Sequence, residues 1–204
     1  MPNKYTANDY FFQFVTITAG VLIALLINGL VEWNNHRALV AQARQTIADE
    51  VRRNQKDLDS TIPGMAADVK RFDSAIAFAS DMLTRKKTTV SELQLHLNLA
   101  DVTAAGWHSA ERTGALSHMP YEEVQRYSLL YDLQDLFTEQ QRALLGQLAA
   151  ASALISSDFN PDNPNPKDLD DFRHRVLQLR SHLLIHEQMA RRLAERYAEV
   201  IADR

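Results

Sequence analysis

His182 and His186 stand four residues apart, with Glu187 directly after, so on a helix both imidazoles face the same way. Two imidazoles beside a carboxylate are the start of a metal site. Zinc hydrolases, however, hold the glutamate between the histidines as H-E-x-x-H, and here it follows them. Spacing dictates no third ligand. His186 also falls on the apolar face of its segment, where a hydrogen-bonded histidine that sets helix register explains it equally well. Asp158, Asn160 and Asp162 alternate like the first ligands of a calcium loop, but Asn163 and Leu169 replace its glycine and its last glutamate. Asx-Pro turns account for the same letters. His108, Ser109 and Glu111 are too close along one helix to converge as a triad. The chain has no phosphate loop and no glycine-rich dinucleotide turn. It has no cysteine, which removes disulfide scaffolds, zinc ribbons and thiol chemistry. This inventory predicts no catalytic activity, no metal and no cofactor.

The most distinctive polar and aromatic cluster lies between residues 107 and 124. Trp107, His108, His118 and Tyr121 surround a helix stop and restart. Gly114 suits the position just past a helix end, and Pro120 suits the first turn of the next helix. These four residues are the candidate ligand or partner site. The alternative is that Trp107 and Tyr121 wedge a helix corner into the core.

Elements that could position such a corner are set by hydropathy. From Tyr10 to Val31 there is no charged residue. A helix of that length rises about 33 Å, enough for one crossing of a hydrocarbon layer roughly 30 Å thick. Tyr10, Phe11 and Phe12 mark one end and Trp33 the other, where aromatic side chains favour the interface. A cleaved signal peptide would need a basic lead and a shorter apolar core. Here Lys4 is matched by Asp9, and the residues after Val31 do not read as a cleavage site. Basic residues flank both ends too evenly to orient the span. Thr16, Gly20, Ala24 and Asn28 recur every four residues and form a stripe of small or polar side chains. Such a stripe lets helices approach closely in lipid, either two copies of this chain or this chain and another membrane protein. Small residues are also common in spans that pair with nothing.

After residue 32 the helical period dominates. Val40, Ile47, Val51, Leu58 and Ile62 share a face, and nothing separates this helix from the span. Pro63-Gly64 predicts a kink or a restart. A capping box at Thr89-Val90-Ser91-Glu92 predicts a helix through Leu93, Leu95, Leu97 and Leu99, although that alternation also suits a strand. Val124, Tyr127, Leu130, Leu133, Phe137, Leu144, Leu148 and Ile155 face one way, and a proline-rich loop follows at 158–167. The last segment is the most regular, with Leu169, Phe172, Val176, Leu179, Leu183, His186, Ala190, Leu193, Tyr197 and Val200 alternating by three and four. Residues 88–157 hold 3 basic and 8 acidic groups, so this middle part should sit beside more basic neighbours. The net charge of −4 argues against a nucleic-acid partner.

One resemblance bears on the whole chain. The residues Ala19-Gly20-Val21-Leu22-Ile23-Ala24-Leu25, then Trp33, Trp107, Gly114-Ala115-Leu116 and Pro120-Tyr121, resemble a family of bacterial single-pass membrane proteins of unknown function. The resemblance implies a helical domain tethered to a bacterial inner membrane and transfers no activity.

The expected fold is therefore all-α, one N-terminal transmembrane helix continuing into an antiparallel bundle of long helices. Residues 1–9 form a tail, 10–31 the span and 32–204 the bundle, with helices at about 32–61, 64–87, 90–113, 120–157 and 167–203. The expected role is a membrane-anchored interaction or scaffold protein that self-associates. The expected partners are the lipid membrane and a second copy of the chain, with another membrane protein as the alternative. A membrane-tethered ligand sensor that signals through a partner is the alternative.

Overall fold

Sustained helical periodicity becomes helix in all but one of the places where it is read. The computed structural model describes residues 7–84, 93, 95–155 and 164–202. It contains α1 (Ala7–Leu83), α2 (Ala105–Arg112), α3 (Tyr121–Ser152) and α4 (Pro166–Ala202), with 3-10 turns at Ala115–His118 and Ala153–Ile155. Among the described residues there is no strand, and the fold is an all-α bundle.

α1 is one helix of 77 residues, with Pro63 inside it. The two helices expected at 32–61 and 64–87 are therefore a single element. An interior proline removes one donor and crowds the preceding turn, at about 3 kcal/mol. Leu58, Ile62 and Met65 are all buried on either side of it, so the two halves are held against one continuous core. The hydroxyls of Ser60 and Thr61 both donate to the Asp57 carbonyl (2.8 and 2.9 Å) in the turn before the proline.

The helix expected at 90–113 is largely absent. The capping box lies outside the described residues, residues 95–104 have no regular secondary structure, and helix begins only at Ala105. A local helix would use these backbone amides internally. Distant side chains take them instead. The N–H of Asn98 donates to Asp68 (2.6 Å), that of Ala100 to Gln141 (3.1 Å), that of Asp101 to Asp57 (2.7 Å) and that of Thr103 to Asn54 (3.1 Å). The strap thus runs antiparallel to α1 and delivers α2 to the lower part of the bundle. Gly114 takes φ 75° just past α2 and ends it as expected. Pro120 is the residue before α3 rather than its first residue, and its carbonyl accepts the N–H groups of Glu123 and Val124.

α3 ascends beside α1, and α4 returns antiparallel to both. α4 packs directly on α1 and on α3, whereas α1 and α3 meet chiefly through polar side chains and the strap between them. All ten expected face residues of α4 are buried. The core has two parts. The lower one joins Val40–Met65 of α1 to Tyr127–Phe137 and Ala190–Val200, and the upper one joins Phe72–Ala79 to Leu144, Ala151 and Leu169–Leu183.

Below this core α1 stands alone. The large apolar side chains between Tyr10 and Trp33 are 45–68% exposed. Burial on α1 starts at Leu39 and Val40. Among the described residues, the structure therefore holds one bare helix long and apolar enough to cross a membrane.

Candidate functional site

The four candidate residues of the 107–124 corner do not form one site. Trp107 is half-buried, with its indole stacked on the Tyr131 ring at 5.2 Å between centroids. His108 is exposed and pairs with Glu111 at 3.6 Å on its own helix. Tyr121 is 74% exposed, so it does not wedge the corner into the core. It opens α3 at a position that faces solvent. His118 stacks on His36 of α1, with ring centroids 3.7 Å apart and planes 16° from parallel.

That histidine pair closes one wall of a cleft of about 410 Å³ at the foot of the bundle. The lining residues are Trp33, His36, Arg37, Val40, Arg44, His118 and Pro120. α1 supplies five of them at helical spacing, and the turn before α3 supplies the other two. The Arg37 guanidinium lies over the Trp33 ring, 5.5 Å from its centroid. Arg44 grips Glu123 of α3 through two hydrogen bonds of 2.8 and 2.6 Å. That contact raises the Arg44 pKa above its ordinary value. It also realises the expected attraction between the acidic middle of the chain and its basic neighbours. None of the lining residues is acidic, and the donors present suit an anion.

Trp107 belongs instead to a buried polar seam between α1 and α3. Glu50 is 1% exposed. It accepts the Tyr131 hydroxyl at 2.6 Å, the Gly106 N–H at 2.7 Å and the Trp107 N–H at 3.4 Å. The last two are orphan donors of the first turn of α2, which has no side-chain cap of its own. Glu50 therefore caps a helix 56 residues away, with the favourable end of its dipole towards the carboxylate. One turn further up α1, the Asn54 amide donates to the Thr103 carbonyl and to Gln134, and the Tyr197 hydroxyl donates to Gln134 at 2.5 Å. Burial, first of all, pushes the phenols of Tyr131 and Tyr197 above their ordinary range. Sequence periodicity missed Glu50, Asn54, Asp68, Gln134 and Gln141. The one available signal was the seven-residue interval between Gln134 and Gln141 on α3 and between Glu50 and Asp57 on α1.

His182 and His186 part company. His182 is exposed and meets Gln147 through Nδ1 at 2.8 Å. His186 is fully buried, stacked on Phe137 at 4.4 Å, and neither ring nitrogen has a hydrogen-bond partner among the described residues. The hydrogen-bonded histidine expected at this position is therefore a bare one. Burial lowers its pKa to about 4. Among the described residues, no three His, Cys, Asp or Glu side chains cluster as metal ligands. Asp158, Asn160, Asp162 and Asn163 lie outside the described residues.

The stripe Thr16, Gly20, Ala24 and Asn28 lies on the bare part of α1. Open space surrounds Gly20. Thr16 donates to the Phe12 carbonyl at 2.9 Å, and Asn28 reaches Glu32 at 3.4 Å. No family model matches the chain, and no curated protein or solved structure matches it either.

Proposed function

We propose that this chain is a membrane-anchored helical interaction protein that self-associates and has no catalytic role. The bare apolar half of α1 carries the reading. Each large side chain withdrawn from water is worth about 1.5–3 kcal/mol. A row of them left in water would exceed the usual stability of about 5–15 kcal/mol for a whole domain. A bilayer removes that cost, and one span of this length suffices. The resemblance at Ala19–Leu25, Trp33 and Trp107 supports the same reading and adds a bacterial inner membrane as the setting.

Two surfaces support self-association. The stripe at Thr16, Gly20, Ala24 and Asn28 would let two spans approach closely. On the bundle, Leu129 and Leu136 stand seven apart and exposed on α3, and Leu177 and Leu184 do the same on α4. Seven-residue leucine spacing is the pattern of a helix that meets another helix. Alkaline washing of membranes should leave the full chain in the pellet, and release into the supernatant refutes the anchor. Single cysteines placed by Gly20→Cys or Ala24→Cys should crosslink chain to chain in native membranes. No crosslink at either position, with a working control, rejects pairing through the stripe.

The cleft at His36 and His118 favours a second reading, a sensor that binds a small ligand where span and bundle join. Transmission to a partner would then run along α1 as a change between two arrangements of the rod. Titration of an anion library against tryptophan fluorescence, in the full chain and in Trp107→Phe, tests it. A flat response in both counts against the sensor.

A further inference from the structure

The cleft at the foot of the bundle sits at a defined height above the apolar run. Trp33, His36 and Arg37 follow Val31 by two, five and six residues, which places them about 3–9 Å along the helix axis at a rise of 1.5 Å per residue. The polar layer of a bilayer extends about 5–8 Å beyond the hydrocarbon on each side. Resting on the reading of α1 as a span, this geometry puts Arg37 and His36 at the level of lipid phosphates. The amphipathic Trp33 ring falls at the boundary below them.

We propose that the cleft is a binding site for the phosphate group of an anionic phospholipid. Arg37 and the stacked imidazoles of His36 and His118 provide the donors. Phosphate oxygens accept such hydrogen bonds, and a guanidinium can engage two of them at once. Arg44, which also lines the cleft, is engaged by Glu123. The nearest carboxylate on α1, Glu32, lies one turn towards the span and is met by Asn28. Glu122 and Glu123 begin α3, and Glu123 is committed to Arg44. Val40 and Pro120 give the cleft an apolar side that suits the glycerol end of a lipid. Because His36 belongs to α1 and His118 to the turn before α3, one bound headgroup would bridge span and bundle.

The test uses the full chain in lipid nanodiscs of phosphatidylcholine alone or phosphatidylcholine mixed with phosphatidylglycerol. Lipid retained after extraction is read by native mass spectrometry. The wild-type chain should retain phosphatidylglycerol in preference to phosphatidylcholine. Arg37→Gln should lower that retention about fivefold, the loss expected for one surface cation, and adding His118→Gln should lower it further. Arg37→Lys, which keeps the charge but loses the two-pronged donor, should fall between the wild type and Arg37→Gln, and His174→Gln, far up α4, should change nothing. Equal retention of the two lipids by a chain that stays in the nanodisc overturns this site and leaves the anchor standing. A chain that leaves the bilayer on alkaline washing overturns the anchor itself. Inorganic phosphate that raises the unfolding temperature in detergent and displaces phosphatidylglycerol assigns the cleft to free phosphate and overturns the lipid as its ligand.

Discussion

A histidine at position 186 meets an interior that offers neither of its ring nitrogens a partner, only the face of Phe137. Its neutral form is therefore favoured in the folded chain, with the pKa lowered to about 4 by burial against an ordinary 6.5. The stability that depends on keeping this ring neutral is complete above pH 6.5. It is lost as pH falls towards 4, because the unfolded chain binds a proton that the folded chain refuses. The full loss is about 3 kcal/mol. His186→Leu should remove this acid sensitivity and raise stability at neutral pH, both visible in denaturant unfolding at stepped pH. An unchanged pH profile in the variant would show that other groups set it. Gly64 offers a second residue-scale test. A Cβ there would lie 2.6 Å from Asn98 Cγ, and Asn98 is fixed by Asp68 and by the Gly64 carbonyl. Glycine to alanine inside a helix normally gains up to about 1 kcal/mol. Gly64→Ala should instead lose about 1–3 kcal/mol, because it evicts a half-buried, hydrogen-bonded side chain. A rise in the melting temperature would refute the close approach. Position 186 was legible in the sequence as a buried seam residue. Its lack of partners was not, because periodicity reports which side a residue faces and nothing about what awaits it there.

At the scale of elements, legibility followed the range of the forces involved. α4 has a single apolar stripe and one neighbour on each side of it, so its spacing alone located every buried residue. Local chain chemistry at Pro63-Gly64 predicts a kink or a restart, and the restart does not occur because burial of Leu58, Ile62 and Met65 holds one helix across it. The strap departs from the expected helix for the opposite reason. The alternation of Leu93, Leu95, Leu97 and Leu99 also suits non-helical backbone, but the groups that hold residues 98–103 come from α1 and α3, 30 to 49 residues away. Asn54 is central, because its amide holds both the N–H and the carbonyl of Thr103 and also meets Gln134. Asn54→Ala should cost about 2–3 kcal/mol by orphaning buried polar groups. It should also raise hydrogen exchange first in residues 98–106, with α4 amides still protected. An even increase across the chain would mean that the strap is no separate unit.

The whole molecule divides into a bare rod and a clad one, and the sequence marks that division because the run from Tyr10 to Val31 carries no charge while the helices after it are amphipathic. What it left unmarked was the foot of the bundle, where His36 and His118 are 82 positions apart in the chain and meet only through the fold. The proposed self-association gives a test at this scale. Leu129→Gln with Leu136→Gln should keep stability within about 0.5 kcal/mol, as expected for exposed positions. The same pair should lower the oligomer fraction measured by light scattering in detergent. An unchanged oligomer would confine association to the span. The unbroken course of α1 has a further consequence. From Val31 to Leu83 the helix runs 52 residues as one element that carries Pro63, about 78 Å at 1.5 Å per residue. On the reading of α1 as a span, this length would set how far the tip of the bundle stands from the bilayer. Adding or removing seven residues between Val31 and Val40 would shift that distance by about 10 Å while turning the tip by only about 20°.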